Sequence, residues 1–176
     1  MTVLGRALPV ASLLLVLLTA GIAGAEESVL ALGLSPEYSI LRPDDNESHG
    51  VGAGVHAEYG VDEYLNLRFV LGYDHHWLDG PDTLHNLRLC AGATYGLDNT
   101  EVVPYLAVGI GVYAAIEGDA DDYELDFGGS FGFGFDWVVL DTLALGIEAM
   151  YHALFTDIKR VMATFGLRVS YRIDVL

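Results

Sequence analysis

The chain has 176 residues, of which 8 are Lys or Arg and 25 are Asp or Glu, so its formal net charge is -17. This length fits a single domain, and the acidic balance argues against nucleic acid as a partner, because phosphates require a cationic surface. Cys90 is the only cysteine, which excludes a disulfide framework.

The N-terminal region has the pattern of a secretory signal peptide. Arg6 supplies a short basic region, residues 7–18 are apolar, and residues 23–25 (Ala-Gly-Ala) form a small-residue cleavage site. A single membrane-anchoring helix is the alternative, and it is disfavoured because the apolar run is short. We expect a cleaved peptide over residues 1–25 and a mature domain over residues 26–176.

The mature part alternates apolar and polar residues with the two-residue period of β-strands, and it has no apolar run long enough for a spanning helix. Eight alternating stretches follow in chain order: residues 29–40, 51–60, 65–73, 86–95, 105–114, 127–137, 143–155 and 161–176. An even number of strands joined by alternately short and longer connections predicts an all-β, antiparallel up-and-down barrel that crosses a membrane.

The connections and one proline complete this pattern. The longer connections are residues 41–50, 74–82, 117–126 and 156–160. Pro36 lies on the apolar face of the first stretch, where its missing N–H interrupts the hydrogen bonds of a closed sheet. We therefore expect a bulge or a local irregularity at this position.

Alternation alone leaves open which face points outward, because a soluble barrel places its apolar face inside. Here glycine is the commonest residue of the polar face, and it weakens an exposed strand but leaves room for long side chains inside a narrow barrel. The apolar face of the eight stretches carries no charged residue. Since Arg or Lys on a lipid face costs about 2–4 kcal/mol near the bilayer midplane, we expect the apolar face to meet lipid.

Four acids and four bases on the polar face are candidates for pairing with one another. They are Glu37, Glu58, Arg68, Arg88, Asp136, Glu148, Arg168 and Arg172. Buried charges require partners, so these residues predict an ionic network in the lumen. Its role is either a gated ion path or a plug that fixes strand register. We favour the plug, because eight strands leave an interior just wide enough for side chains.

Two segments carry a family resemblance. Residues 104–113 contain Pro-Tyr followed by spaced glycines, and residues 136–151 contain a short turn followed by a strand with Glu148 and Tyr151. Both are similar to the small eight-stranded outer-membrane barrels, the OmpA- and OmpX-like transmembrane domains. The resemblance implies a plugged barrel in the bacterial outer membrane, in contact with its lipid, with lipopolysaccharide and with the barrel-assembly machinery.

The third long connection is the most acidic. Its candidate cation contacts are Glu117, Asp119, Asp121, Asp122 and Glu124. Calcium requires several oxygen ligands, but the glycine and terminal Glu of an EF-hand loop are out of register here. We favour a solvated acidic surface loop, with bridging of divalent ions to lipopolysaccharide phosphates as an intermediate alternative.

A second cluster combines histidines and acids. His75 and His76, with Asp74, Asp79 and His85 near by, are a candidate transition-metal site. This site is disfavoured because adjacent side chains on a strand point in opposite directions.

A lipid-modifying enzyme requires an activated serine, a histidine base and an acid. Ser130, His152 and Glu148 share the polar face, but residues 128–132 mimic the hydrolase motif only partly, and they lie in a strand. We therefore expect no enzyme, cofactor or metal. We expect a structural or surface-interaction role with an unidentified surface partner, with a diffusion pore as the second reading and an enzyme as the third.

Overall fold

The computed structural model describes residues 28–42, 47–78, 83–97, 101–117, 123–155 and 161–175. Eight antiparallel strands within these residues form a closed barrel, in which each strand pairs with the next and the last pairs with the first. This confirms the predicted fold class. The strands are β1 (Ser28–Arg42), β2 (Ser48–Gly60), β3 (Leu65–Trp77), β4 (Thr83–Gly96), β5 (Val102–Glu117), β6 (Tyr123–Leu140), β7 (Leu143–Leu154) and β8 (Val161–Val175).

The predicted signal peptide over residues 1–25 lies outside the described residues. In the part of the chain that is described, no helix is long and apolar enough to cross a membrane.

The two faces of the sheet follow the predicted alternation. On β6, Phe131 is 60% exposed on the exterior, whereas its neighbour Ser130 is buried in the lumen. On β8, Leu167 is exposed and Arg168 is only 2% exposed. Large apolar side chains therefore cover the outer wall, and the polar parity fills the interior, as lipid around the barrel requires.

Outward-facing tyrosine and tryptophan side chains lie near both ends of the barrel. Near the short turns they are Tyr95, Trp137 and Tyr171, and near the longer connections they are Tyr38, Tyr73, Trp77 and Tyr123. Such belts mark the two levels at which hydrocarbon meets polar headgroups. The apolar band of each strand lies between them.

The turn between β2 and β3 shows how the short connections are stabilised. Asp62 Oδ1 accepts hydrogen bonds from the backbone N–H groups of Tyr64, at 2.9 Å, and Leu65, at 2.8 Å. These bonds favour the ionised carboxylate and hold the pKa of Asp62 below its ordinary value. The side chain thus provides acceptors that the backbone of this tight turn lacks.

Pro36 pairs in register with Ala53 of β2. On its other side, the ladder with β8 lacks pairs at Ser35 and Pro36 but resumes in the same register. The expected bulge is therefore wrong, and the local irregularity is an interrupted ladder. A shift in register occurs instead between Val138 and Leu140, just before the tight β6–β7 turn.

Three predicted loops, residues 41–50, 74–82 and 117–126, are shorter than expected, because the alternation continues through polar residues. β3 extends to Trp77, with Asp74 and His76 fully buried on the lumenal face. β6 begins at Tyr123, and Asp126 is buried. Polar side chains indicate a loop in a soluble protein, but the interior of this barrel is itself polar.

β4 and β5 approach each other closely at Gly92, where a substitution tests the packing. A Cβ atom there would contact the Val108 carbonyl oxygen and lie 2.6 Å from Gly109 Cα, both of them backbone atoms. We expect Gly92→Ala to lower the free energy of unfolding by about 1–3 kcal/mol, since the core cannot absorb the extra methyl group without backbone shifts. Urea titration in phospholipid vesicles, followed by tryptophan fluorescence, measures the change.

Gly54→Ala is the matched control, because the nearest atom to its added Cβ would be the Leu71 carbonyl oxygen at 3.6 Å, an ordinary contact. Its free energy of unfolding should stay equal or rise by less than about 1 kcal/mol, through reduced freedom of the unfolded chain. Equal losses in both variants would contradict the proposed close approach.

Candidate functional site in the barrel lumen

Arg68 of β3 and Glu148 of β7 form a bidentate ion pair across the lumen. Arg68 Nη2 donates to Glu148 Oε1 at 2.7 Å, and Nη1 donates to Oε2. Both side chains are almost completely buried. Two parallel charge-assisted bonds fix the orientation of both groups as well as their separation, so this pair links strands on opposite sides of the barrel.

Arg168 of β8 contacts three carboxylates. Its Nη2 donates to Glu58 Oε1 at 2.9 Å and lies 3.5 Å from Asp136 Oδ2, while Nη1 donates to Glu148 Oε2 at 3.0 Å. Nη1 also donates to the Tyr105 hydroxyl at 2.6 Å, and that hydroxyl donates to Glu148 at 2.9 Å. Arg168 therefore joins residues from four other strands: β2, β5, β6 and β7.

A separate group surrounds Arg88 of β4, nearer the longer connections. Its Nη1 donates to Asp74 of β3 and its Nη2 donates to Glu37 of β1. All three side chains are buried, Asp74 completely. This second cluster ties three strands together above the Arg68–Arg168 cluster.

Seven of the eight residues predicted for the network lie in these two clusters. Arg172 forms no ion pair with another described residue and lines a wider cavity near the short turns. Asp74 was missed because it was assigned to a loop. The continuing alternation from Arg68 to Asp74 is the signal that places it on the lumenal face.

The two clusters contain more acid than base. Within the described lumen, five carboxylates contact three guanidinium groups. A formal excess of negative charge therefore remains when all of these groups are ionised. An ion that enters this interior meets a field that favours cations.

Space inside the barrel is divided by the side chains. A 40 Å³ cavity, lined by Arg68, Arg88, Glu37 and Glu148, lies between the two clusters and has room for about one water. A 430 Å³ cavity near the short turns is lined by residues that include Asp136 and Arg172. Glu58 also lines this larger cavity, and both Glu58 and Asp136 contact Arg168.

The serine, histidine and acid considered for catalysis are engaged elsewhere. Ser130 and His152 are paired across β6 and β7 on the lumenal face. His152 Nδ1 lies 2.9 Å from the Tyr113 hydroxyl, whereas Glu148 binds Arg68 and Arg168. Among the described residues, no carboxylate is hydrogen-bonded to His152, so the geometry lacks the acid that orients the base in a triad.

The histidine cluster is split between the two faces. His76 and Asp74 point into the lumen, and His75 lies on the outer face, where its ring centre is 4.9 Å from that of His85. Asp79 lies outside the described residues. In the described ranges, no group of three or more His, Cys, Asp and Glu side chains is arranged to hold a metal.

The acidic connection is described only in part. Glu124 lies exposed at the start of β6, and the side chain of Glu117 is not among those described. Asp119, Asp121 and Asp122 lie outside the described residues. Their role as cation contacts therefore stays a prediction.

Arg168 allows a test of how strongly the lumenal charges depend on one another. We expect Arg168→Met to lower the free energy of unfolding by about 3–5 kcal/mol, because it leaves buried carboxylates without a partner. Arg42→Met is the control, since it removes an exposed pair with Glu47 at 2.9 Å and should cost less than about 1 kcal/mol. Urea unfolding in vesicles compares the two, and similar losses would show that the lumenal pairs are no stronger than surface pairs.

Comparison with known proteins places the architecture. The family model for the outer membrane protein beta-barrel domain matches residues 10–172. A comparison with curated proteins gives no match.

Three solved structures illustrate the similarity of the fold. Neisserial surface protein A (NspA) has a TM-score of 0.64 and 16% identity, covering 84% of this chain and 97% of that chain. Outer membrane protein OprG from Pseudomonas aeruginosa has a TM-score of 0.60 and 12% identity, covering 86% and 97%. The outer membrane enzyme PagL has a TM-score of 0.52 and 16% identity, covering 81% and 99%. At these identities the likeness concerns the fold alone.

Proposed function

Since this chain belongs to the family of outer membrane protein β-barrel domains and lies in the bacterial outer membrane, we propose that it has a structural or surface-interaction role, with a lumen plugged by its ionic network. The longer connections face the cell surface in this arrangement, and the short turns face the periplasm. Residues 1–25 direct export and are removed.

The ion pairs across the lumen are the observation that carries this proposal. Arg68 and Glu148 reach toward each other from β3 and β7, and Arg168 holds three carboxylates at the same level. A hydrated ion can pass only if these groups move apart. Because buried charges left without partners are costly, the separated arrangement is rarely populated, and the barrel should be closed to steady ion flow.

The anchored surface is the other part of the proposal. The barrel holds the connection that contains Glu117, Asp119, Asp121 and Asp122 next to lipopolysaccharide, whose phosphates divalent ions can bridge to carboxylates. An unidentified surface partner and, during insertion, the barrel-assembly machinery are the further contacts we expect.

Planar bilayer recording tests the plug. We expect no steady current from the folded wild-type barrel, and we expect cation-selective openings from Arg168→Ala, because Glu58, Asp136 and Glu148 keep their charge. The fraction of folded protein in each sample is controlled on an unboiled gel, and detergent alone provides the blank. A steady conductance from the wild type would support the diffusion pore instead.

Lipid A analysis tests the enzymatic alternative. Glu148 is bound to arginines and His152 to Tyr113, so no activated serine is expected. The mass spectrum of lipid A should be identical in cells that express the protein and in cells that carry Ser130→Ala or an empty vector. Gain or loss of an acyl chain that depends on the wild-type protein would overturn the non-enzymatic role.

A further inference from the structure

We propose that His75 and His85 form a binding site for a divalent transition-metal ion on the outer face of the barrel, near the longer connections. The two residues are direct partners in the β3–β4 ladder. Their ring centres are 4.9 Å apart, with an angle of 53° between the ring planes. The site is independent of the lumenal network and of the role assigned to it.

The distance between the rings fits shared coordination of one ion. With a zinc–nitrogen bond of about 2.1 Å, two imidazoles on one tetrahedral ion have ring centres about 5 Å apart. Direct partners on one face of an antiparallel pair hold their Cβ atoms about 4.5–5.5 Å apart. The backbone register therefore brings the rings to this distance without a rearrangement of the strands.

Hydrogen bonding prepares His85 to act as a ligand. The Tyr73 hydroxyl lies 2.6 Å from His85 Nδ1. When Nδ1 donates its proton to this oxygen, the lone pair of the ring resides on Nε2. Outer partners of this kind fix the tautomer and orientation of metal-binding histidines.

His75 is available as the second ligand. Among the described residues, no hydrogen bond engages its ring, which contacts Trp77 edge-on at a centre distance of 5.4 Å. No third His, Cys, Asp or Glu of the described ranges converges with the pair. Water or a donor from outside the barrel therefore completes the coordination, and the ligand pair favours Zn²⁺, Cu²⁺ or Ni²⁺ over Ca²⁺ or Mg²⁺.

The position of the pair makes it accessible to ions. Tyr73 and Trp77, which flank His75 on the outer face, are exposed aromatic residues of the belt near the longer connections. Such residues mark the level of the polar headgroups. Both imidazoles are partly exposed, so an aqueous ion reaches them without crossing hydrocarbon or entering the lumen.

His49 provides a matched control within the same belt. It also faces outward, and its Nδ1 lies 2.5 Å from the Tyr38 hydroxyl. Its partner in the β2–β3 ladder is Trp77, and its Nε2 lies 3.9 Å from Glu47. Because no second imidazole contacts its ring among the described residues, His49 lacks the paired geometry.

Calorimetric titration of the untagged, folded barrel in detergent with ZnCl₂ tests the site. We expect one ion per barrel, at least tenfold weaker binding in His75→Ala and in His85→Ala, and a change of less than twofold in His49→Ala. Equal affinity in wild type and both paired variants would overturn the proposal, and so would an equal loss in His49→Ala. Heat-modifiable migration on a gel verifies that each variant is folded.

Fluorescence of Trp77 gives a second, independent readout of the site. The chain has two tryptophans, and Trp137 lies at the opposite end of the barrel, so Trp137→Phe isolates Trp77. We expect CuCl₂ to quench the fluorescence of Trp77 saturably at one equivalent. His85→Ala leaves the Trp77–His75 contact in place, and we expect it to raise the half-saturation concentration of CuCl₂ at least tenfold. Quenching that is unsaturable, or equal in both proteins, would overturn the assignment.

Discussion

The ion pairs between three buried arginines and their carboxylate partners are the interaction on which this barrel depends. A sheet that closes in lipid satisfies its backbone hydrogen bonds but encloses one complete face of every strand. In a barrel of eight strands the interior is narrow enough for side chains to fill it at the level of the ion pairs. Arg68, Arg88 and Arg168 are compatible with this interior because each reaches carboxylates on other strands. The ion pairs therefore stabilise the register between strands and the closure of the barrel. In the proposed role they also keep the lumen closed.

Glycine and arginine have complementary parts in this interior. Residues without side chains leave the volume that the guanidinium groups and Tyr105 occupy, and at Gly92 the backbone of the neighbouring strand is too close for a side chain unless the backbone shifts. The buried carboxylates outnumber the guanidinium groups that they contact. They are Asp74, Asp136, Glu37, Glu58 and Glu148. The same network therefore stabilises the fold and, in the proposed role, closes the lumen and selects the ions that the lumen would admit if opened.

Because side chains alternate between the two faces of a strand, neighbours in the chain have different partners inside and outside the barrel. His75 and His76 are neighbours in the chain, but His76 hydrogen-bonds to Ser39 in the lumen while His75 faces His85 on the exterior. His56 likewise contacts Ser35 and Ser170 as a satisfied interior residue. The proposed metal site on the outer rim and the charge pairing in the lumen can consequently coexist in one thin wall.

The strands, their faces and the barrel could be predicted from the amino-acid sequence, because alternation is local and charges are confined to one parity, as at Arg168 and Leu167. Asp74 was wrongly assigned to a loop, since a polar run has the same composition inside a barrel as in solvent. The pairing of Arg68 with Glu148 and of His75 with His85 could be seen only in the folded barrel. Those pairings depend on the register between strands and on closure, which bring together side chains that the period of one strand leaves unrelated.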